Sequence, residues 1–169
     1  MALTVENGSG LPNADSYLSV ADADAYHAAQ GGTGWTGTTD QKESALRQAT
    51  EYLDNRYGLR WNGRRINETM ALDWPRTGVV DRDGWTVSDS AVPSGVERAT
   101  AYVALKVREG TELVPDVLPG TNATAESVQV GAIRIETSYA GLNATAPSFP
   151  TVDMLLRDLI QSAGTVSRA

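Results

Sequence analysis

The residues in this chain that could do chemistry are few, and their spacing argues against most of it. Gly32-Thr33-Gly34-Trp35-Thr36-Gly37 has the spacing of a G-x-G-x-x-G phosphate-binding turn. That turn works where a strand enters it and a helix leaves it, with an acidic residue about 20 positions on. Here a helix pattern precedes it and Trp35 would crowd a pyrophosphate, so the stretch reads as an interhelical loop. No G-x-x-x-x-G-K sequence is present. His27 is the single histidine, which removes histidine-based zinc sites, and a Ser-His-Asp triad lacks the G-x-S-x-G elbow that would present its serine. Asp22 with Asp24, and Asp81 with Asp83-Gly84, offer carboxylates to a hard cation. Neither run carries the distal bidentate glutamate of a calcium loop. The first reads as helix N-terminal charge and the second as a turn. No catalytic residue, cofactor site or metal site is expected, and no enzymatic activity.

Binding chemistry is richer between Arg47 and Arg76. Arg47, Arg56, Arg60, Arg64, Arg65 and Arg76 alternate there with Tyr52, Tyr57, Trp61 and Trp74. Guanidinium groups can track phosphates and aromatic rings can stack bases, so Arg56, Arg60, Trp61, Arg64 and Arg65 are candidate single-stranded nucleic-acid contacts. Glu51, Asp54, Glu68 and Asp73 share the stretch, and six arginines against four carboxylates leave only +2. The same residues suit a solvated helix face with aromatic core anchors, or a protein-docking interface. At the end of the stretch stands Ala71-Leu72-Asp73-Trp74-Pro75-Arg76-Thr77-Gly78. Pro75 biases Trp74 toward extended backbone, and Arg76 adds an always-charged planar donor. Trp74 and Arg76 read as the anchors of that loop.

The elements that must position these residues are mostly helical. Residues 1–18 read as an N-terminal arm. Ser19 caps a helix over about 20–29, stopped by Gly31 and Gly32. Thr39 or Asp40, with Glu43, opens a second helix on which Ala45, Leu46, Ala49, Tyr52, Leu53 and Tyr57 recur at spacings of three and four, closed by Gly58. Residues 59–92 carry little periodicity, and Trp61, Trp74 and Trp85 read as locking them onto the helices. Ser94 and Glu97 suggest a capping box for a third helix over about 95–109. Between 126 and 139 the period becomes two, with Val128 and Val130, then Ile133 and Ile135. The parity changes at Gly131-Ala132, as a bulge or kink would make it. Such an apolar ribbon needs a partner strand. Thr151 caps a last helix, about 152–162, striped with Val152, Leu155, Leu156, Leu159 and Ile160.

The expected fold is mainly α, a small bundle of about four helices with an extended β-like arm before the C-terminal helix. It is one domain, 1–169, divided into an arm (1–18), a helical core with a Trp-rich loop (19–110), an extended arm (111–150) and the C-terminal helix (151–162). Val128, Val130, Ile133, Ile135, Leu155, Leu156, Leu159 and Ile160 are candidate contacts to a second subunit or another partner, and the helical stripe reads equally well as core.

Composition bounds these readings. The 169 residues suit one domain that buries about 70% of its unfolded surface. There is no cysteine, so no disulfide or thiolate metal site is possible. The first residues lack a basic region and an apolar core, so no secretion signal is expected, and no apolar run approaches a membrane span. The N-x-S/T sequences at Asn7, Asn67, Asn122 and Asn143 then read as loop chemistry. Lys and Arg number 14 against 21 Asp and Glu, a net charge of -7. That disfavours general affinity for nucleic acid, which is driven by phosphate neutralisation, but not a local basic face. It also suits a protein past which DNA must slide. An apolar fraction of 41% is slightly low and fits a subunit that gains stability from neighbours.

Several short motifs occur in a telling order. Asn13-Ala14-Asp15-Ser16-Tyr17 is followed by Ala21-Asp22-Ala23-Asp24-Ala25-Tyr26, by Trp35, and by Lys42-Glu43-Ser44-Ala45-Leu46-Arg47-Gln48-Ala49-Thr50. Then come Ala71-Leu72-Asp73-Trp74-Pro75-Arg76, Pro93 with Arg98-Ala99-Thr100, Val130-Gly131, and Leu155-Leu156-Arg157-Asp158-Leu159. From Asn13 to Ile160 this pattern resembles a family of tailed-phage proteins. Its members are often labelled DnaT-like single-stranded-DNA-binding and look like head–tail connector (adaptor, head-completion) proteins. The resemblance implies a mainly helical subunit that assembles into a dodecameric ring beneath the portal, leaving a hole for DNA. The implied partners are the portal protein and a tail-side connector or tail terminator. Genomic DNA would pass without sequence-specific contact, and no membrane is involved. The implied location is the virion neck, with the host cytoplasm during assembly. A structural head–tail connector is the function expected, with a single-stranded-DNA-binding replication accessory as the alternative.

Overall fold

A computed structural model describes residues 2–114 and 148–161, and the backbone of 125–130 and 133–138. The chain divides into two compact units, Met1–Thr111 with Phe149–Ala169, and Glu112–Ser148. The first holds α1 (Val20–Ala29), α2 (Thr39–Tyr57), α3 (Ser94–Arg108) and α4 (Pro150–Leu156). It also holds the two-residue strands β1 (Arg64–Arg65) and β2 (Arg76–Thr77), antiparallel with Arg64 opposite Thr77. The second holds β3 (Ala125–Val130) and β4 (Ile133–Ser138). The fold is mainly α. Among the described residues no helix is long and apolar enough to cross a membrane.

The core of the first unit follows the helical periodicity. α2 packs along α3, and α3 along α4. Ala45, Leu46, Ala49 and Leu53 make the buried row of α2, Val96, Ala99 and Val103 that of α3, and Val152 and Leu156 that of α4. Spacings of three and four place each row on one face, and burial of each large side chain contributes about 2 kcal/mol.

The helix ends depart from expectation in four places. Thr38 caps α2, its hydroxyl accepting from the Gln41 amide while the Gln41 side chain accepts from the Thr38 amide. The reciprocal pair needs a Glu or Gln three positions after the cap, and Gln41 fills that place for Thr38. Ser94 forms no cap, because it is already the first residue of α3, behind Pro93. α4 starts at Pro150, behind Phe149, so Thr151 lies inside it. Proline is pre-set for that first helical position. α4 also ends at Leu156 rather than near Ser162, where the amides of Leu159 and Ile160 fold back onto the Leu156 carbonyl at 2.8 and 3.1 Å.

The N-terminal arm is folded against its own unit. The Glu6 carboxylate accepts from the amides of Gly8 (2.9 Å), Gly10 (2.9 Å) and Leu11 (2.8 Å). Gly8 has φ +96°, and a Cβ there would lie 2.1 Å from the Ser90 carbonyl oxygen. The Ala71 amide donates to the Leu11 carbonyl at 3.0 Å, and Ser16 and Tyr17 are buried.

The extended arm finds its partner strand within the chain. β3 and β4 pair antiparallel, with Val128 opposite Ile135 and Val130 opposite Ile133. The parity change at 131 and 132 is therefore a reversal between two strands, since positions directly opposite in an antiparallel ladder share a face. Residues 131 and 132 and the side chains of both strands lie outside the described residues, so the candidate contact surface of Val128, Val130, Ile133 and Ile135 lies outside them too.

Candidate functional site

The arginine-rich stretch is built around the C-terminal end of α2. After Tyr57 the chain turns tightly, the amides of Arg60 and Trp61 bonding the Tyr57 carbonyl at 2.7 and 3.1 Å. The C-terminal segment then clamps this turn. The Asn62 amide donates to the Leu159 carbonyl at 2.9 Å, and the Gln161 amide to the Arg60 carbonyl at 2.7 Å. The Arg60 guanidinium stands 5.6 Å from the centre of the Tyr57 ring, a cation–π distance. An open groove of about 290 Å³ beside it is lined by Arg60, Asp153, Arg157, Ile160 and Gln161.

The six arginines divide by role. Arg47 is engaged by Asp15 (3.5 Å) and Glu43 (3.4 Å). Arg76 is buried, and its fork is spent on backbone: Nε donates to the Asn62 carbonyl at 2.8 Å, one terminal nitrogen to Gly63 at 2.9 Å and the other to Asp73 at 3.2 Å. Burial pulls its pKa down and the Asp73 carboxylate holds it up. Arg56, Arg64 and Arg65 are exposed and Arg60 half-exposed, and none of the four makes an ion pair among the described residues. Arg65 makes one hydrogen bond, to the Met70 carbonyl at 3.2 Å. In the last turn of α2, Arg56 also complements the helix dipole.

The aromatic half of the expected nucleic-acid surface is not there. Tyr52, Tyr57, Trp61 and Trp74 are all buried. Trp61 packs edge-on against Trp74 with ring centres 5.6 Å apart, and against Tyr57 at 5.7 Å. Trp61 is therefore withdrawn as a nucleic-acid contact, because its indole fills the core beneath the arginines. The Trp74–Pro75 peptide is cis. Trp85, expected to lock the loop, points outward instead and is 74% exposed. Sequence reading missed it because neither spacing nor neighbours separate an inward from an outward tryptophan in an aperiodic loop.

The apolar stripe of the last helix is satisfied inside its own unit. Leu156, Leu159 and Ile160 are buried and Leu155 is half-buried, while Ile160 bridges to Trp61. Three of these four candidate partner contacts thus belong to the core, and Met154 is the large apolar residue of α4 that faces out, 68% exposed.

A polar network joins α2 to the Trp74 loop, and nothing in the spacing of its members announced it. The Tyr17 hydroxyl donates to Asp54 Oδ1 and accepts from the amides of Asp73 (3.0 Å) and Trp74 (3.2 Å). The Asp73 amide also reaches Asp54 Oδ2 at 3.1 Å. Burial pushes the Asp54 carboxyl up to about 7. The Tyr17 hydrogen bond pulls it back, and the Asp73 charge adds to the rise. Burial likewise raises Asp73, opposed by Arg76. Donors already hold both Asp54 oxygens, so the network fastens the loop.

The Gly32–Gly37 loop is closed by Trp35, which is buried beside His27 with ring centres 4.9 Å apart. Its indole N–H donates to Asp24 Oδ1 at 2.6 Å, and Lys42 reaches the same oxygen at 2.8 Å. Asp24 is thus occupied in holding α1 to α2.

A family model described as "Putative DnaT-like ssDNA binding protein" matches residues 1–169. No curated protein and no solved structure matches the chain. With all of its length covered by that one model, from the folded-back arm through the clamped Trp74 loop to α4, the chain belongs to the DnaT-like ssDNA-binding family.

Proposed function

We propose that the chain holds single-stranded DNA by its phosphates, through Arg56, Arg60, Arg64 and Arg65. The observation that carries this reading is the set of four solvent-reaching guanidinium groups within ten residues, without an ion pair among the described residues. Cations with no ion pair among the described residues, in a chain of net charge -7, are open to an anion from outside, and the family description points the same way. Glu51 and Glu68 are exposed in the same stretch and weaken the field. With the nearby aromatics buried, charge supplies most of the affinity, so binding falls steeply with salt. Four neutralised phosphates on a single strand give a log–log slope of about -3. Fluorescence anisotropy of a labelled polythymidine oligonucleotide across a salt series tests this. A slope near that value, lowered by about 1.4 in Arg64→Ala/Arg65→Ala, supports the reading. An absence of binding at low salt overturns it.

A second reading is a subunit of the ring that joins a tailed-phage portal to its tail, letting DNA through. The β3–β4 hairpin favours it. It forms a two-stranded ladder in a compact unit of its own, and such a ladder has edges to lend to a neighbour. The net negative charge suits passage of DNA without adhesion. The partners under this reading are further copies of the chain, the portal protein and a tail-side connector or terminator. Co-sedimentation with purified portal, without an oligonucleotide shift, would select it over the first.

A further inference from the structure

We propose that Trp85 is a base-stacking platform for a single strand whose phosphates are held by Arg64 and its neighbouring arginines; this rests on the DNA-binding reading above. A ring adds to what cations supply in holding a single strand, since each stacked base contributes affinity that salt does not screen. Trp35, Trp61 and Trp74 are all buried. Trp85 is the aromatic side chain among the large exposed apolar residues, with 74% of its surface in solvent.

It is also held as a platform should be. Residues 79–87 form a hairpin. The Val87 amide donates to the Val79 carbonyl at 2.9 Å, and Val80 bridges to Thr86. At the tip, the Asp81 amide donates to the Trp85 carbonyl at 2.9 Å, and the Trp85 amide returns to Asp81 Oδ1 at 2.8 Å. The backbone of Trp85 is thus fixed on both sides while its ring is free, so little ordering is left for binding to impose.

The hairpin stem starts beside the arginines. Arg64 pairs with Thr77, and the preceding Gly63 touches the stem so closely that a Cβ there would lie 2.7 Å from Val79 Cγ2. From Val79 to Asp81, the partner of Trp85, is two residues, at most about 7 Å of chain. The tip also carries two acids, with one arginine between them. Asp81 Oδ1 is taken by the amides of Asp83 and Trp85, and Asp83 stands 3.9 Å from Arg82.

Titration of the full chain with polythymidine, read by intrinsic tryptophan fluorescence, tests the proposal. The expected result is quenching that disappears in Trp85→Ala, with affinity about tenfold lower and an unchanged salt slope. Trp85→Phe, which keeps an aromatic face, should bind close to wild type. Arg64→Ala/Arg65→Ala should lower the slope yet keep the quenching at saturation. Equal affinity of Trp85→Ala and wild type overturns the platform while the DNA reading stands. No binding by the wild type removes both. Loss of self-association in Trp85→Ala, with oligonucleotide affinity intact, assigns the tip to a protein contact and overturns the proposal.

Discussion

The Tyr17 hydroxyl lies 2.5 Å from Asp54 Oδ1, and this one contact ties the N-terminal arm to α2 across 37 positions of sequence. The Tyr17 hydroxyl oxygen also accepts from the amides of Asp73 and Trp74, so arm, helix and loop meet at that one atom. Tyr17→Phe leaves the Trp74 amide and an Asp54 oxygen without their partner in a buried place. Urea unfolding should show a loss of about 2–3 kcal/mol. A loss within error of zero would mean that water replaces the hydroxyl.

Asp54 gives this network a pH dependence. Its carboxyl moves from an ordinary 3.8 to about 7 on folding. Between those values the folded chain keeps a proton that the unfolded chain has released. Stability from this group therefore falls as pH rises from about 4 to about 7, and levels off above. Asp73, raised by burial, tilts the same way, while His27, lowered by burial, tilts oppositely below its ordinary 6.5. The difference between wild type and Asp54→Asn isolates the effect. Denaturation midpoints measured across that window should diverge with pH, and a constant difference would refute the shift.

Arg76 is expected to be irreplaceable by lysine. An ammonium cannot reach the carbonyls of Asn62, Gly63 and Asp73 together, because it lacks the planar fork. Arg76→Lys should cost about 2 kcal/mol in thermal or urea unfolding. Arg64→Ala/Arg65→Ala, at exposed positions, should stay within about 0.5 kcal/mol of wild type.

Glu6 organises the arm through three amide hydrogen bonds. Glu6→Ala should cost about 3 kcal/mol and raise hydrogen exchange at Gly8, Gly10 and Leu11 before the rest of the unit. Uniform exchange in the variant would show that the arm does not open separately.

The last helix separates core from surface within two positions. Leu156→Ala removes a fully buried side chain and should cost about 2–5 kcal/mol. Met154→Ala, at an exposed position, should change stability by less than about 0.5 kcal/mol. Equal effects would mean that α4 packs differently.

The α-helices were largely legible in the amino-acid sequence. Apolar residues three and four apart on 45–57 and 96–103 can be buried together only on a helix, and local rules of capping and proline placement set the ends to within a few residues. The cap of α2 fell on Thr38, ahead of the expected Thr39 or Asp40, through one reciprocal pair of hydrogen bonds with Gln41, and Pro150 displaced Thr151. Trp61 and Trp85 show where local reading stopped. Both lie in an aperiodic loop, one sealed into the core and the other open to solvent. What separates them is which backbone segments the C-terminal clamp and the Asp81 turn bring past each ring. The two aspartates gathered by Tyr17 are likewise a contact between distant parts of the chain, and so is the arm's Leu11 carbonyl on the Ala71 amide. Composition and local propensity determined which elements form. Tertiary packing decided which arginines and which tryptophan remain exposed, because burial depends on neighbours that sequence spacing does not specify.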